Sequence, residues 1–175
     1  SVEGSASLDI TPVNDDPTTT PVTLAAIAED SGARVITQAE LVANSSDVDG
    51  GAPVATGLSI DSGNGTLVDN HDGTWTYTPA LNDDTSVSFK YTIEDGHGGS
   101  VEGSASLDIT PVNDDPTTTP VTLAAIAEDS GARVITQAEL VANSSDVDGG
   151  APVATNLEIA TGKGTLVDNG NGTWT

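Results

Sequence analysis

The sequence of 175 residues has no cysteine and no methionine, few aromatics and only four Lys plus Arg. Without cysteine there is no disulfide, no thiol nucleophile and no Cys-ligated zinc. Four cations against 27 Asp plus Glu leave a net charge of -23. That balance excludes a nucleic-acid-binding surface, which needs clustered Lys and Arg to neutralise phosphates. It also disfavours docking on anionic lipid headgroups. No apolar run approaches the roughly 20 residues that span a bilayer, so membrane insertion is not expected, and nothing at Ser1 resembles a secretion signal. The absence of a starting methionine predicts a window cut from a longer protein. Acidity of this degree can accompany disorder. Here 35% of the residues are hydrophobic and fall in patterned runs, which predicts a folded acidic protein.

What is present, above all, is repetition. Ser1 to Thr56 recurs without a change as Ser100 to Thr155, a period of 99 residues, and Gly57–Thr76 matches Asn156–Thr175 with seven differences. The period is too long for most solenoid units and suits a chain of whole small domains. Such near-identity suits an array that serves by its length. The polar, Pro-ended segment Val-Asn-Asp-Asp-Pro at 13–17 and 112–116 is the expected copy boundary. Residues 1–13 then read as the last strand of a preceding repeat and 14–112 as a complete repeat. Residues 113–175 read as a second repeat without its last two strands.

Strict alternation marks the strands. Val87, Phe89, Tyr91 and Ile93 face one way against Ser88, Lys90 and Thr92. Val101, Ala105, Leu107 and Ile109 alternate with Glu102, Ser104, Ser106 and Asp108, and Trp75 and Tyr77 alternate with threonines. Leu58 and Ile60 begin a strand ended by Gly63-Asn64-Gly65, a tight hairpin signal. Asn70-His71-Asp72-Gly73 marks another turn, while Val22–Ile27 and Ala33–Thr37 complete the set. Thr37 and Glu40 have capping-box spacing, which predicts one helical turn. The expected fold is all-β: tandem antiparallel sandwiches of seven strands, of immunoglobulin type, without the Cys-Trp-Cys hallmark of antibody domains.

Much of the acid sits in loops. Glu29 and Asp30 fall between the first and second strands, Asp47 and Asp49 between the second and third, Asp83 and Asp84 between the fifth and sixth, and Asp95 between the last two. Asn14, Asp15 and Asp16 form the linker. Sandwich topology sorts these loops by pole. It predicts that Glu29, Asp30, Asp83 and Asp84 meet Asn113, Asp114, Asp115, Asp146 and Asp148 around the second linker, with Glu128 and Asp129 repeating the first-loop pair. Like charges about 5 Å apart repel by roughly 3 kcal/mol per pair at an effective dielectric near 20, so a cation is expected there. Hard oxygen donors in flexible loops, with no His or Cys among them, point to Ca2+ over zinc, copper or magnesium. The EF-hand pattern fails, because Asp47-Val48-Asp49-Gly50 lacks a third acid before the glycine and a Glu at the twelfth place. The glycine-rich calcium nonapeptide is absent too.

The order N-D-D-P, A-E-D-S-G, D-V-D-G-G, G-T-W-T-Y-T-P and Y-T-I-E-D-G-H-G-G resembles the bacterial cadherin-like tandem repeats, of the VCBS type, found in very large secreted adhesins and some polysaccharide-degrading proteins. The resemblance runs over the whole chain. It implies that the linker Asn and Asp and an Asp-x-Asp pair some thirty residues later hold calcium; Asn14 and Asp47 stand 33 apart here, as do Asn113 and Asp146. It further implies a ligand role for Glu29 and Asp95. The chain departs from the family at Leu81-Asn82-Asp83-Asp84, where cadherins carry Leu-Asp-Arg-Glu.

Blander readings stand beside these. Asp47 and Asp49 can be simple Asx-turns, and Asp9, Asp61, Asp69 and Asp72 read as strand-face or turn residues. Trp75 and Tyr77 read as core rather than as a sugar platform, and nothing supplies the pocket that paired catalytic carboxylates need. The expectation is a non-enzymatic, extracellular spacer of a large adhesin, stiffened by calcium between neighbouring repeats set end to end. The alternative is a repeated binding module for a polysaccharide or a partner-cell surface.

Overall fold

A computed structural model describes residues 1–175. It divides into two compact units, Ser1–Val112 and Asn113–Thr175.

The first unit is a two-sheet sandwich. Its elements are β1 (Val22–Ala28), β2 (Arg34–Thr37), the single turn α1 (Gln38–Leu41), β3 (Val54–Ser62), β4 (Thr66–Asp69), β5 (Thr74–Thr78), β6 (Val87–Glu94) and β7 (Ser100–Thr110). One sheet has the order β1-β7-β6-β3 and the other β2-β5-β4. The alternation of β6 puts Val87, Phe89, Tyr91 and Ile93 inside, and that of β7 buries Ala105, Leu107 and Ile109. Each such burial contributes about 1.5–3 kcal/mol for a large aliphatic or aromatic side chain. Between the sheets Tyr77 and Phe89 meet edge to face at 5.4 Å.

One pairing departs from an all-antiparallel sandwich. β1 runs parallel to β7, Val22 opposite Ala105 and Ile27 opposite Ile109. Both strands run from the pole where the chain arrives to the pole where it leaves, so as neighbours they must be parallel. β3 also starts earlier than its apolar pattern shows, at Val54, because it pairs with β6 from Glu94 onward.

Two local devices fix the corners. Thr37 Oγ1 accepts from the Glu40 amide at 3.4 Å and Glu40 Oε2 accepts from the Thr37 amide at 2.8 Å, the reciprocal capping box. Gln38 then joins α1 to β3: its Nε2 donates to the Ala55 carbonyl at 3.0 Å and its Oε1 accepts the Ala55 amide at 2.9 Å. Gly103 lies so close under Tyr91 that an added Cβ would come within 2.5 Å of the ring. That ring is held by its hydroxyl, which donates to the Leu41 carbonyl at 2.8 Å.

The second unit keeps only fragments of this pattern: β8 (Thr117–Thr118), β9 (Ile135–Thr136), α2 (Gln137–Leu140), β10 (Ser144–Ser145) and β11 (Thr173–Trp174). Its capping box, Thr136 with Glu139, is intact. β11 pairs β9 with Trp174 opposite Ile135, as Trp75 lies opposite Ile36 in the first unit. Two of the differences between copies exchange residues at left-handed positions. Gly57 at φ 64° becomes Asn156 at φ 55°, and His71 at φ 59° becomes Gly170 at φ 70°. Asn, His and Gly are the residue types that tolerate this conformation best.

Candidate metal centre

The linker of the first unit docks on two loops at the pole where the chain arrives. The Asp15 amide donates to Asp49 Oδ2, in the β2–β3 loop. Asn14 Nδ2 donates to Asp95 Oδ2 at 2.7 Å, in the β6–β7 loop. Asp16 Oδ1 accepts from the Ser100 amide at 3.3 Å. The structure therefore brings Asn14, Asp15, Asp16, Asp47, Asp49 and Asp95 to one pole, from three chain segments.

Asp47 and Asp95 are each set by their own turn. Asp47 Oδ1 accepts the Asp49 amide at 2.8 Å, an Asx-turn, and Asp95 Oδ1 accepts the His97 amide at 2.7 Å and the Gly99 amide at 3.0 Å. Asp95 is buried, at 4% exposure. The Asn14 side chain foremost, with the His97 and Gly99 amides, holds its carboxyl below the ordinary carboxylate range.

Two features bear on whether a cation fits. Asp47 Oδ2 is buried without a hydrogen-bond donor. Around Gly99 the oxygens crowd: an added Cβ would clash with Asp95 Oδ2 and lie 2.8 Å from Asp16 Oδ1 and 3.1 Å from the Asn14 amide nitrogen. The carboxylates offer hard oxygens, which suits calcium, while Asn14 turns its Nδ2 rather than its Oδ1 toward Asp95 in this arrangement. The ion pairs of Arg34 with Glu40, Lys90 with Asp61 and Arg133 with Glu139 all lie elsewhere, so no Lys or Arg pairs with this pole. No three carboxylate or imidazole groups converge closely enough to form a ready-made cage. The carboxylates are held by N–H donors in this arrangement, and the residues fit a calcium ion in donor chemistry and in charge.

The opposite pole of the first unit is built differently. Glu29, 4% exposed, has Oε1 accepting from the Val112 amide at 2.7 Å. Asp30, at φ 57°, accepts the Asn82 amide on Oδ1 at 3.1 Å. Asp83 is engaged twice: Oδ1 accepts the Thr85 amide at 2.9 Å and Oδ2 accepts from Asn64 Nδ2. Thr85 above all, with Asn64, keeps the Asp83 carboxyl below its usual range. Asp84 is exposed.

In the second unit the linker pattern recurs: the Asp114 amide donates to Asp148 Oδ2 at 2.6 Å and the Asp148 amide to Asp146 Oδ1 at 3.0 Å. Asn113 Nδ2 donates to the Asp114 carbonyl at 3.0 Å. Asp115, Glu128 and Asp129 are exposed.

Spacing alone does not reveal Gly99 as the floor of the first pole, or the Ser100 amide as a partner of Asp16. The run Gly96-His97-Gly98-Gly99 carries the signal: Gly98 takes a left-handed φ of 108° in the turn, and Gly99 allows the close approach of carboxylates that a Cβ there would prevent.

A profile of the cadherin-like domain matches residues 13–110 and again 112–175. No curated protein matches the chain. Among solved structures, it is similar to the endo-fucoidan hydrolase MfFcnA4 of glycoside hydrolase family 107, with 18% identity and a TM-score of 0.39 over 95% of this chain and 24% of that one. The endo-fucoidan hydrolase MfFcnA9 gives 16% identity and a TM-score of 0.35 over 93% of this chain and 29% of that one. The chain thus spans about a quarter of the length of these hydrolases, and likeness at this level carries no argument about activity.

Proposed function

The chain belongs to the cadherin-like domain family, and from that premise we propose that it is a calcium-stiffened extender of an extracellular bacterial adhesin. The observation that carries this reading is the linker-side pole of the first unit. There the Asp16 and Asp95 carboxylates crowd Gly99, Asp47 Oδ2 lacks a hydrogen-bond donor, and no Lys or Arg offsets the charge.

The residues that would hold calcium are Asn14 and Asp16 from the linker, Asp47 and Asp49 from the β2–β3 loop, and Asp95 from the β6–β7 loop. Glu29 and Asp30 are candidates at the other pole. A bound calcium ion supplies positive charge to oxygen donors that otherwise repel one another. The chain's own residues do the rest. Asn14 and the Asp15 amide fasten the linker to two loops, Asp95 anchors the last turn through backbone amides, and Gly99 leaves the space. A linker fastened at two loops loses its freedom to swing, and repetition at each period of 99 residues would turn a flexible string into a stiff stalk. On this reading the repeat works by reach, without catalytic chemistry. No helix is long and apolar enough to cross a membrane.

The test is calorimetric titration of the 175-residue chain with calcium and, separately, magnesium. Binding in the range of extracellular modules, on the order of 0.1–1 mM, is expected for calcium. Asp47→Asn together with Asp95→Asn should remove at least one site. Unchanged calcium binding in that double variant would refute the assignment.

A further inference from the structure

The sequence contains three Asn–Gly pairs, Asn64-Gly65, Asn169-Gly170 and Asn171-Gly172, and their surroundings differ in ways that bear on one reaction. An asparagine followed by glycine can cyclise. The glycine backbone nitrogen attacks the side-chain Cγ and forms a C–N bond, the Cγ–Nδ2 bond breaks, and the amide leaves as ammonia with the proton given up by the glycine N–H. Water then opens the five-membered imide at either carbonyl, giving Asp or isoaspartate. The step needs a polarised Cγ carbonyl, a nitrogen able to attack and an amide able to leave.

Asn171 meets these needs. Both hydrogen bonds of its side chain fall on Oδ1, from the Thr173 amide at 3.2 Å and the Thr173 hydroxyl at 2.7 Å. Donors at that oxygen stabilise the negative charge that develops there during attack, the same logic as an oxyanion hole. Gly172 has φ 76° and brings no side chain against the attacking nitrogen.

The other two pairs are restrained at the reacting atoms. Asn169 Oδ1 accepts from the Thr175 hydroxyl, but at 3.3 Å and without a backbone amide, and its amide nitrogen donates to the Thr173 hydroxyl at 2.9 Å and the Thr175 hydroxyl at 3.0 Å. The attacking nitrogen of Gly170 already donates to Asp168 Oδ1 at 2.8 Å. Asn64 has its amide nitrogen bound to Asp83 Oδ2, so conversion to Asp would set two carboxylates against each other.

We propose that Asn171 is a spontaneous deamidation site, converting ahead of Asn64 and Asn169. The first copy supports acceptance of the product. Asp72 stands at the matching position, and its Oδ1 accepts the Thr74 amide at 3.0 Å and the Thr74 hydroxyl at 2.6 Å. The Thr74 hydroxyl foremost keeps the Asp72 carboxyl below the ordinary range, so this hairpin favours the ionised acid. Deamidation to Asp therefore gives the second hairpin the same Asp-Gly-Thr sequence as Asp72-Gly73-Thr74 in the first.

The test incubates the full 175-residue chain at neutral pH and physiological temperature and follows each Asn–Gly pair by peptide mass mapping. Asn171 is expected to convert severalfold faster than Asn64 and Asn169. Thr173→Val, nearly the same shape without the hydroxyl, should slow Asn171 severalfold. It should speed Asn169, which loses one restraint on its leaving amide, and leave Asn64 unchanged. Asn171→Asp should have the same denaturation midpoint as the parent. Equal rates at the three positions, a lead by Asn64 or Asn169, or the same Asn171 rate in the Thr173→Val chain would overturn the proposal.

Discussion

Val22–Ala28 and Val121–Ala127 are the same seven residues in two places, and only the first is a strand. The first lies beside β7 and buries Val22 and Leu24; in the second, the matching stretch forms no strand and Ile126 is 58% exposed. Ser100–Thr110 and Ser1–Thr11 repeat the lesson. As β7 the sequence buries Leu107 completely between β1 and β6, whereas Leu8 at the other place is 86% exposed. Glu29, buried against Val112, has an exposed counterpart in Glu128. An alternating pattern gives a segment the capacity to be a strand, and the partner across the ladder decides whether it becomes one.

The elements that match in both places are those whose two partners both recur in the second unit, whether 3 residues apart as in the capping box or 34 apart as in the linker contact. The capping boxes of Thr37 with Glu40 and Thr136 with Glu139 are alike, and so are the linker contacts of Asp15 with Asp49 and Asp114 with Asp148. Gln38 and Gln137 mark the boundary between the two behaviours. Both donate to the facing alanine carbonyl, but Gln38 Oε1 also accepts the Ala55 amide, while Gln137 Oε1 is buried without a partner.

Paired substitutions at identical residues sharpen this contrast. Leu107→Ala should cost about 2–5 kcal/mol in the first unit, because it opens a cavity in a closed core. Leu8→Ala should stay within about 0.5 kcal/mol, as for exposed positions. Chemical denaturation of the two variants checks both, and similar losses would break the comparison. Gly103→Ala comes next: its methyl would meet the Tyr91 ring, an overpacking cost of about 1–3 kcal/mol. Gly4→Ala meets nothing within 4 Å and should be near neutral.

For the local elements the expectation reverses, since the two copies should respond alike. Thr37→Ala removes a cap, at about 1 kcal/mol, and Thr136→Ala should weaken α2 by a similar amount, read from amide exchange at Glu40 and Glu139. The smallest effect concerns acid. Burial pushes the Glu40 carboxyl up, but the Thr37 hydrogen bonds and the Arg34 charge outweigh it and leave it below its ordinary value. A lowered folded value means that the contribution is present above the unfolded carboxylate range and lost as pH falls through the folded value. Glu40→Gln should therefore flatten the acid limb of the stability profile. The change should be below about 1 kcal/mol, since solvent screens a partly exposed pair.

The same distinction explains what could be read from sequence. β6 and β7 were legible because both carry strict alternation and both find partners, and the α1 turn was legible because Thr37 and Glu40 satisfy each other within four residues. The early start of β3 at Val54 and the parallel pairing of β1 were not, since each depends on a strand dozens of residues away. At the candidate metal centre the acidic clusters stood out by spacing. The role of Gly99 did not, because it is a property of the space between the linker and the β6–β7 loop rather than of any one motif.

The central claim is that calcium binds the carboxylates of the linker-side pole and stiffens the repeat. Its most direct test is thermal melting of the 175-residue chain in millimolar calcium, in equimolar magnesium and in chelator. Calcium at tenfold above its dissociation constant should add about 1.4 kcal/mol per site, which for a domain of this size raises Tm by roughly 5–10 °C, with little effect of magnesium and most of the gain lost in Asp47→Asn. A Tm that is the same in all three solutions would contradict the claim and leave the acidic pole as a solvated surface.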